Sequence, residues 1–139
     1  MFLKRILWTA LLVTGFVMPA LAGPLPKPIV KYVGKVPDAG LIQFNLAVLN
    51  WHAYAPALFA PAPHLPPCGT NTASSRTWVD IYNAVNNQRL YGFCALTAPT
   101  ELQKIWFATP PAAKPKYVYV TITDRLLNQK ASSNKVAIP

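Results

Sequence analysis

Few residues in this 139-residue chain have a definite chemistry, and the two cysteines come first. Cys68 and Cys94 are the only thiols. They can form a structural crosslink or a redox pair. Redox pairs usually read Cys-x-x-Cys, and these two lie far apart in sequence, so the spacing favours a disulfide in an oxidising compartment. A bridge closing a loop of about 25 residues stabilises by about 3 kcal/mol. It would pin the loop around Cys68 to the strand that carries Cys94.

Histidines and carboxylates offer less. His52 and His64 are the only histidines and are weak candidates for a shared metal. Zinc usually takes three or four protein ligands at recognisable spacing, so two histidines twelve apart in a proline-rich loop read as ordinary loop residues. No metal and no cofactor are expected. The carboxylates are Asp38, Asp80, Glu101 and Asp124. Hydrolysis by a carboxylate pair needs two of them facing one cleft, whereas Asp80 and Asp124 lie near Arg89 and Arg125 and are expected to form ion pairs. Ser74 and Ser75 lack a Gly-x-Ser-x-Gly setting. Phosphate-binding glycine loops and dinucleotide fingerprints are missing too. The chain therefore reads as non-enzymatic with no catalytic residue, and a small hydrolase or metal-dependent enzyme using His52 or His64 is an alternative.

The N-terminus fixes the expected compartment. Lys4 and Arg5 precede an apolar run from Ile6 to Val17, followed by Ala20-Leu21-Ala22. This is the pattern of a secretory signal peptide over residues 1–22, cleaved before Gly23. The apolar run is shorter than the roughly 20 residues of a spanning helix. Leu21-Ala22-Gly23 looks like the start of a lipoprotein box, but Pro24 stands where the lipid-bearing cysteine would be. No later segment is long and apolar enough to span a bilayer. The expected location is secreted or periplasmic.

Removing 22 residues leaves 117, enough for one domain. Lys4 and Arg5 would leave with the leader, so eleven basic residues face four acidic ones and the net charge is about +7. Both methionines, Met1 and Met18, lie in the leader region, which disfavours a copper carrier built on thioether ligands. The lysines are scattered and not interleaved with aromatic residues, so nucleic acid is not an expected partner. The charge reads mainly as an aid to solubility.

The elements that would position these residues are strands. Residues 23–38 form a proline-rich arm with a possible edge strand at Ile29–Val33. Residues 39–139 form the domain proper. Ile42, Phe44, Leu46 and Val48 alternate with Gln43, Asn45 and Ala47, as in a half-buried strand. A long proline-rich connection runs from Trp51 to Ser75, with one helical turn at Ala57–Ala60. Residues 76–96 read as a hairpin in which Asn83 pairs with Gln88. That register sets Ile81 against Leu90, Val79 against Gly92, Tyr82 against Arg89 and Trp78 against Phe93. A strand over Glu101–Ala108 points Leu102, Ile105 and Phe107 inward. Tyr117–Thr123 is the strongest strand, with Val118, Val120 and Ile122 inward. A turn near Leu127–Gln129 leads to a last strand ending at Ile138.

Short strands, proline-rich connections and little helix predict an all-β antiparallel sandwich with one disulfide and a long proline-rich loop. The architecture resembles immunoglobulin-like and fibronectin type III sandwiches, without the Cys…Trp…Cys order of antibody domains. The segments Leu65-Pro66-Pro67-Cys68-Gly69, Ser75-Arg76-Thr77-Trp78-Val79-Asp80-Ile81-Tyr82 and Gly92-Phe93-Cys94 also resemble a pattern in small secreted bacterial proteins of unknown function. That resemblance implies a shared fold and brings no catalytic residue.

The expected strand faces collect Trp78, Tyr82, Tyr91, Phe93, Tyr117 and Tyr119 on one side. Left open to solvent, they form a candidate binding surface for a protein or for sugar rings. Otherwise the arm or the Trp51–Phe59 segment covers them as a second core, or they point into the main core. The resulting reading is a protein-interaction or structural module of the cell envelope. A glycan-binding module using the aromatic face is the alternative. Intact-mass measurement of natively exported protein is expected to give residues 23–139 with both cysteines oxidised; a retained leader or two free thiols would contradict this.

Overall fold

The computed structural model describes residues 24–68 and 74–139. The expected leader over 1–22 lies outside the described residues. The chain forms an antiparallel β-sandwich. One sheet has the order β1 (Val30–Asp38), β2 (Leu41–Val48), β5 (Ile105–Thr109). The other has the order β4 (Arg89–Phe93), β3 (Thr77–Asn83), β6 (Tyr117–Asp124), β7 (Gln129–Ser132), with β8 (Val136–Ala137) also pairing with β6. Among the described residues no helix is long and apolar enough to cross a membrane.

Period-two patterning sets the two layers. Phe44, Leu46 and Val48 of β2 and Ile105 and Phe107 of β5 are fully buried. They face Val79 and Ile81 of β3 and Val118, Val120 and Ile122 of β6, also fully buried. Phe44 lies directly opposite Phe107 in the ladder, their rings stacked with centroids 5.2 Å apart. Each strand gives alternate residues to the interior, and close packing of these branched and aromatic side chains holds the layers together.

The β1–β2 hairpin turns at Ala39 and Gly40, both with positive φ (49° and 87°). A two-residue turn needs that backbone to match the strand twist, and Gly40 adopts it without strain. β1 is longer than the expected edge strand, because the residues up to Asp38 pair with β2. A bulge lies between Tyr32 and Gly34, and Pro37 falls near the end. The side chain of Asn134 accepts from the Val30 N–H at 2.9 Å and donates to the Val30 carbonyl at 3.1 Å. It thereby ties this edge to the segment between β7 and β8.

Three local expectations change. The hairpin keeps its four-residue loop, with the Asn83 N–H donating to Gln88 and Asn87 at φ 60°. Tyr82 faces Arg89 as expected, but a bulge at Leu90 shifts the rest by one residue. Ile81 then faces Tyr91, Asp80 faces Gly92 and Val79 faces Phe93. A Cβ on Gly92 would lie 2.0 Å from Arg89 Nη2 and 2.6 Å from Asp80 Oδ1. Only glycine lets the Arg89–Asp80 pair lie across the strand here.

Residues Pro99–Gln103 form a 3-10 turn rather than the start of a strand. The Glu101 carboxylate folds back to accept from the N–H groups of Thr97 and Ala98 and from the Thr97 hydroxyl, a local bonding pattern that competes with extended backbone. The last part of the chain forms two short strands, β7 and β8. Phe107→Ala should lower the unfolding free energy by about 3–5 kcal/mol in urea denaturation, whereas Val85→Ala, in the exposed β3–β4 loop, should stay within about 0.5 kcal/mol.

Candidate functional site

The six aromatic residues do not share one face. Trp78 and Tyr82 on β3 and Tyr117 and Tyr119 on β6 lie on the outer side of the five-stranded sheet, opposite in sense to the buried Val79, Ile81, Val118 and Val120. Tyr82 and Tyr119 are cross-strand partners whose rings stack at 5.2 Å and 14°. The Tyr119 hydroxyl donates to Asn87 Oδ1 at 3.1 Å. Tyr117 is 47% exposed. The guanidinium of Arg125 lies 3.9 Å above the Trp78 ring, a cation–π contact that covers the indole. The covering layer weighed from the sequence takes another course, since Tyr54 and Phe59 enter the main core.

Tyr91 and Phe93 lie on the other face because of the Leu90 bulge. β4 and β5 are edge strands of the two sheets, and Trp106 of β5 meets both residues. Tyr91 stacks on Trp106 at 4.5 Å and 27°, and Phe93 approaches the same indole edge-on at 5.9 Å. Phe93 also packs against the core. Trp106 is absent from the sequence-derived surface, although its place between inward Ile105 and Phe107 puts it on the outer side by simple alternation.

The long connection is anchored at several points. Cys68 and Cys94 form the expected disulfide, with Cα atoms 6.0 Å apart. Tyr54 is nearly fully buried, and its hydroxyl donates to the Pro26 carbonyl; burial pushes its ionisation far above the ordinary tyrosine value. Pro61 pairs with Ser75 as an isolated bridge. The Arg76 N–H donates to the Ala60 carbonyl at 3.1 Å. Arg125 donates from Nη1 to the Ser75 carbonyl at 3.3 Å and from Nη2 to the Pro66 carbonyl.

One expected ion pair is replaced. Asp80 does pair with Arg89, at 2.8 Å. Asp124 pairs with Arg76 instead of Arg125. Nε and Nη2 of Arg76 each donate to one Asp124 oxygen at 2.7 Å. Asp124 is only 1% exposed, and its Oδ1 also accepts from the N–H groups of Leu126 and Leu127 at 3.1 and 3.4 Å. Proximity in sequence points to Arg125, but β3 and β6 are laddered so that Thr77 faces Asp124. That register delivers Arg76 as a planar fork to the carboxylate.

Among the described residues no three His, Cys, Asp or Glu side chains come together as a metal set. His52 and His64 are both exposed. His64 borders a cavity of about 280 Å³ lined by Ala57, Pro61, Leu65 and Leu126, with Arg76 at its side. What the aromatic groups can do is contact. On the five-stranded sheet, rings paired face to face leave edges and hydroxyls toward a partner.

The ion pair makes stability depend on pH. Burial raises the pKa of Asp124, but the Arg76 fork and two backbone N–H donors outweigh it and hold the carboxyl below its ordinary value. A carboxyl whose folded pKa is depressed stabilises fully above its unfolded value of about 3.9, and that contribution is lost as pH falls through the folded value. The urea midpoint should therefore drop below about pH 4. Asp124→Asn should cost about 3–5 kcal/mol at neutral pH and flatten the acid limb of the curve. Comparison with protein families, characterised proteins and solved structures gives no match for this chain.

Proposed function

We propose that this chain is an exported, non-enzymatic sandwich that docks onto another protein of the cell envelope through the outer face of β3 and β6. The reading rests on one observation. The Tyr82–Tyr119 stack, the exposed Tyr117 and the Arg125-covered Trp78 lie on one outer sheet face, with the Asp80 and Thr121 pair between the stack and Trp78. Tyrosine, tryptophan and arginine are enriched at protein interfaces, because they give a large contact area with few torsions to freeze and carry polar tips. The Tyr82 and Tyr119 rings stack on one another and Trp78 lies under a guanidinium, so one face of each of these rings is already occupied.

Export is supported by the leader pattern and by a disulfide of the kind that persists in oxidising compartments. The non-enzymatic reading is supported by how the carboxylates are engaged. Asp80 and Asp124 hold arginines, and Glu101 caps its own turn. The strand order, β1-β2-β5 over β4-β3-β6-β7, fits the resemblance to immunoglobulin-like modules.

A photo-crosslinking residue at Tyr117 in the native host should give one discrete protein adduct. The same residue at Ile29, exposed at the start of the other sheet, should give none. Trp78→Ala in the Tyr117-labelled protein should reduce the adduct by about tenfold or more, as for an interface anchor. Equal adducts from both positions, or none from Tyr117, would overturn the proposal.

A further inference from the structure

The outer face of the three-stranded sheet carries a second, chemically different site. A cavity of about 410 Å³ lies there, lined by Val33, Gln43, Asn45, Gln103, Lys104 and Trp106. Asn45 faces Trp106 across the β2–β5 ladder and faces Gly34 across the β1–β2 ladder. A Cβ built on Gly34 would meet nothing within 4 Å, so the space beside Asn45 is open. The β1 bulge at Val33 sets this arrangement.

The site is organised in advance. Tyr91 and Phe93 clamp the Trp106 indole from the neighbouring sheet, so its orientation is fixed before any ligand arrives. Gln43 Nε2 donates to Asn45 Oδ1 at 2.8 Å, which orients both amides. Gln43 Oε1 is left as an acceptor, and Asn45 Nδ2 as a donor. Among the described residues, the Trp106 indole N–H, the Gln103 amide and the Lys104 ammonium have no hydrogen-bond partner in this protein. Glu101 does not neutralise Lys104, because its carboxylate turns back to Thr97 and Ala98.

An apolar ligand would bury these amides and the ammonium unpaired, at a cost for each one. A pyranose would not. Its C–H face packs on an indole while its ring hydroxyls donate to and accept from neighbouring amides at the same time. The lysine adds a preference for negative charge. We propose that this face binds a pyranose bearing a carboxylate, a uronic acid unit of an acidic polysaccharide. The face of Trp106 turned away from Tyr91 is the stacking platform, Gln43, Asn45 and Gln103 take the hydroxyls, and Lys104 takes the carboxylate. The site lies on a different sheet from the docking surface proposed above and stands independently of it.

The test is an NMR titration of the disulfide-bonded protein with a galacturonic acid hexamer, with maltohexaose and a glutamate-rich hexapeptide as comparisons. The hexauronate should shift the Trp106 indole N–H saturably, and the shift should weaken with added salt. Maltohexaose should bind more weakly at the same resonance, and the peptide should leave it unmoved. Trp106→Ala should abolish binding. Lys104→Gln should weaken hexauronate by about two- to fivefold and leave maltohexaose unchanged. Gln43→Ala, at a half-buried surface position, should weaken both sugars by about two- to tenfold with the amide spectrum otherwise preserved. It keeps the test decisive should Trp106→Ala unfold.

No indole shift at millimolar hexauronate would overturn the site. An equal response to the acidic peptide would overturn the sugar assignment. Hexauronate binding indifferent to Lys104→Gln would overturn the role of the charge. None of these outcomes bears on crosslinking at Tyr117, so the two proposals fail separately.

Discussion

A carboxylate almost fully withdrawn from water governs how this domain is put together. Asp124 ends β6 inside the protein, and burying an unpaired charge there would be prohibitive. Its environment supplies a two-pronged guanidinium and two backbone N–H groups. That arrangement sets several things at once. It fixes where β3 begins, because Arg76 must reach across the ladder. It fixes the bend after β6, because Leu126 and Leu127 must present their amides. It also places Arg125, whose guanidinium reaches back to Ser75 and Pro66 and lies over Trp78. The described parts of the Trp51–Ser75 connection are therefore held at several points, by the disulfide, by buried Tyr54 and Phe59 and by these arginines.

Much of the layering was legible from alternation. The inward faces of β2, β3 and β6 follow from Phe44, Leu46, Val79, Ile81, Val118 and Val120 sitting at every second position, a pattern that compels burial on one side. The disulfide was legible from cysteine number and the expected compartment. The Leu90 bulge was not, since one extra residue in a ladder leaves no mark in hydrophobic periodicity. Its effect is large, because it carries Tyr91 and Phe93 off the expected surface and against Trp106. The gain is ring-to-ring contact among three aromatic side chains where the sheet edges meet. The Arg76–Asp124 pairing was equally hidden, since it depends on strand register across 48 residues and not on sequence proximity.

Charge is sorted as clearly as shape. Among the described residues the two ion pairs both use arginines, and Glu101 is turned into its own backbone. Lysines on both sheets and on the linking turns are outside these pairs. An excess of basic over acidic residues gives the molecule a positive field, which favours approach of anionic partners in general.

The guarded border of β1 has a consequence at high protein concentration. A nine-residue strand at the rim of a sheet invites a second copy to zip alongside it. Here the bulge at Val33, the ring of Pro37, the ammonium groups of Lys31 and Lys35 and the clip from Asn134 break that template along most of its length. Copies crowded side by side thus lack the continuous backbone row from which fibres grow. High local abundance then does not by itself seed edge-to-edge growth along β1.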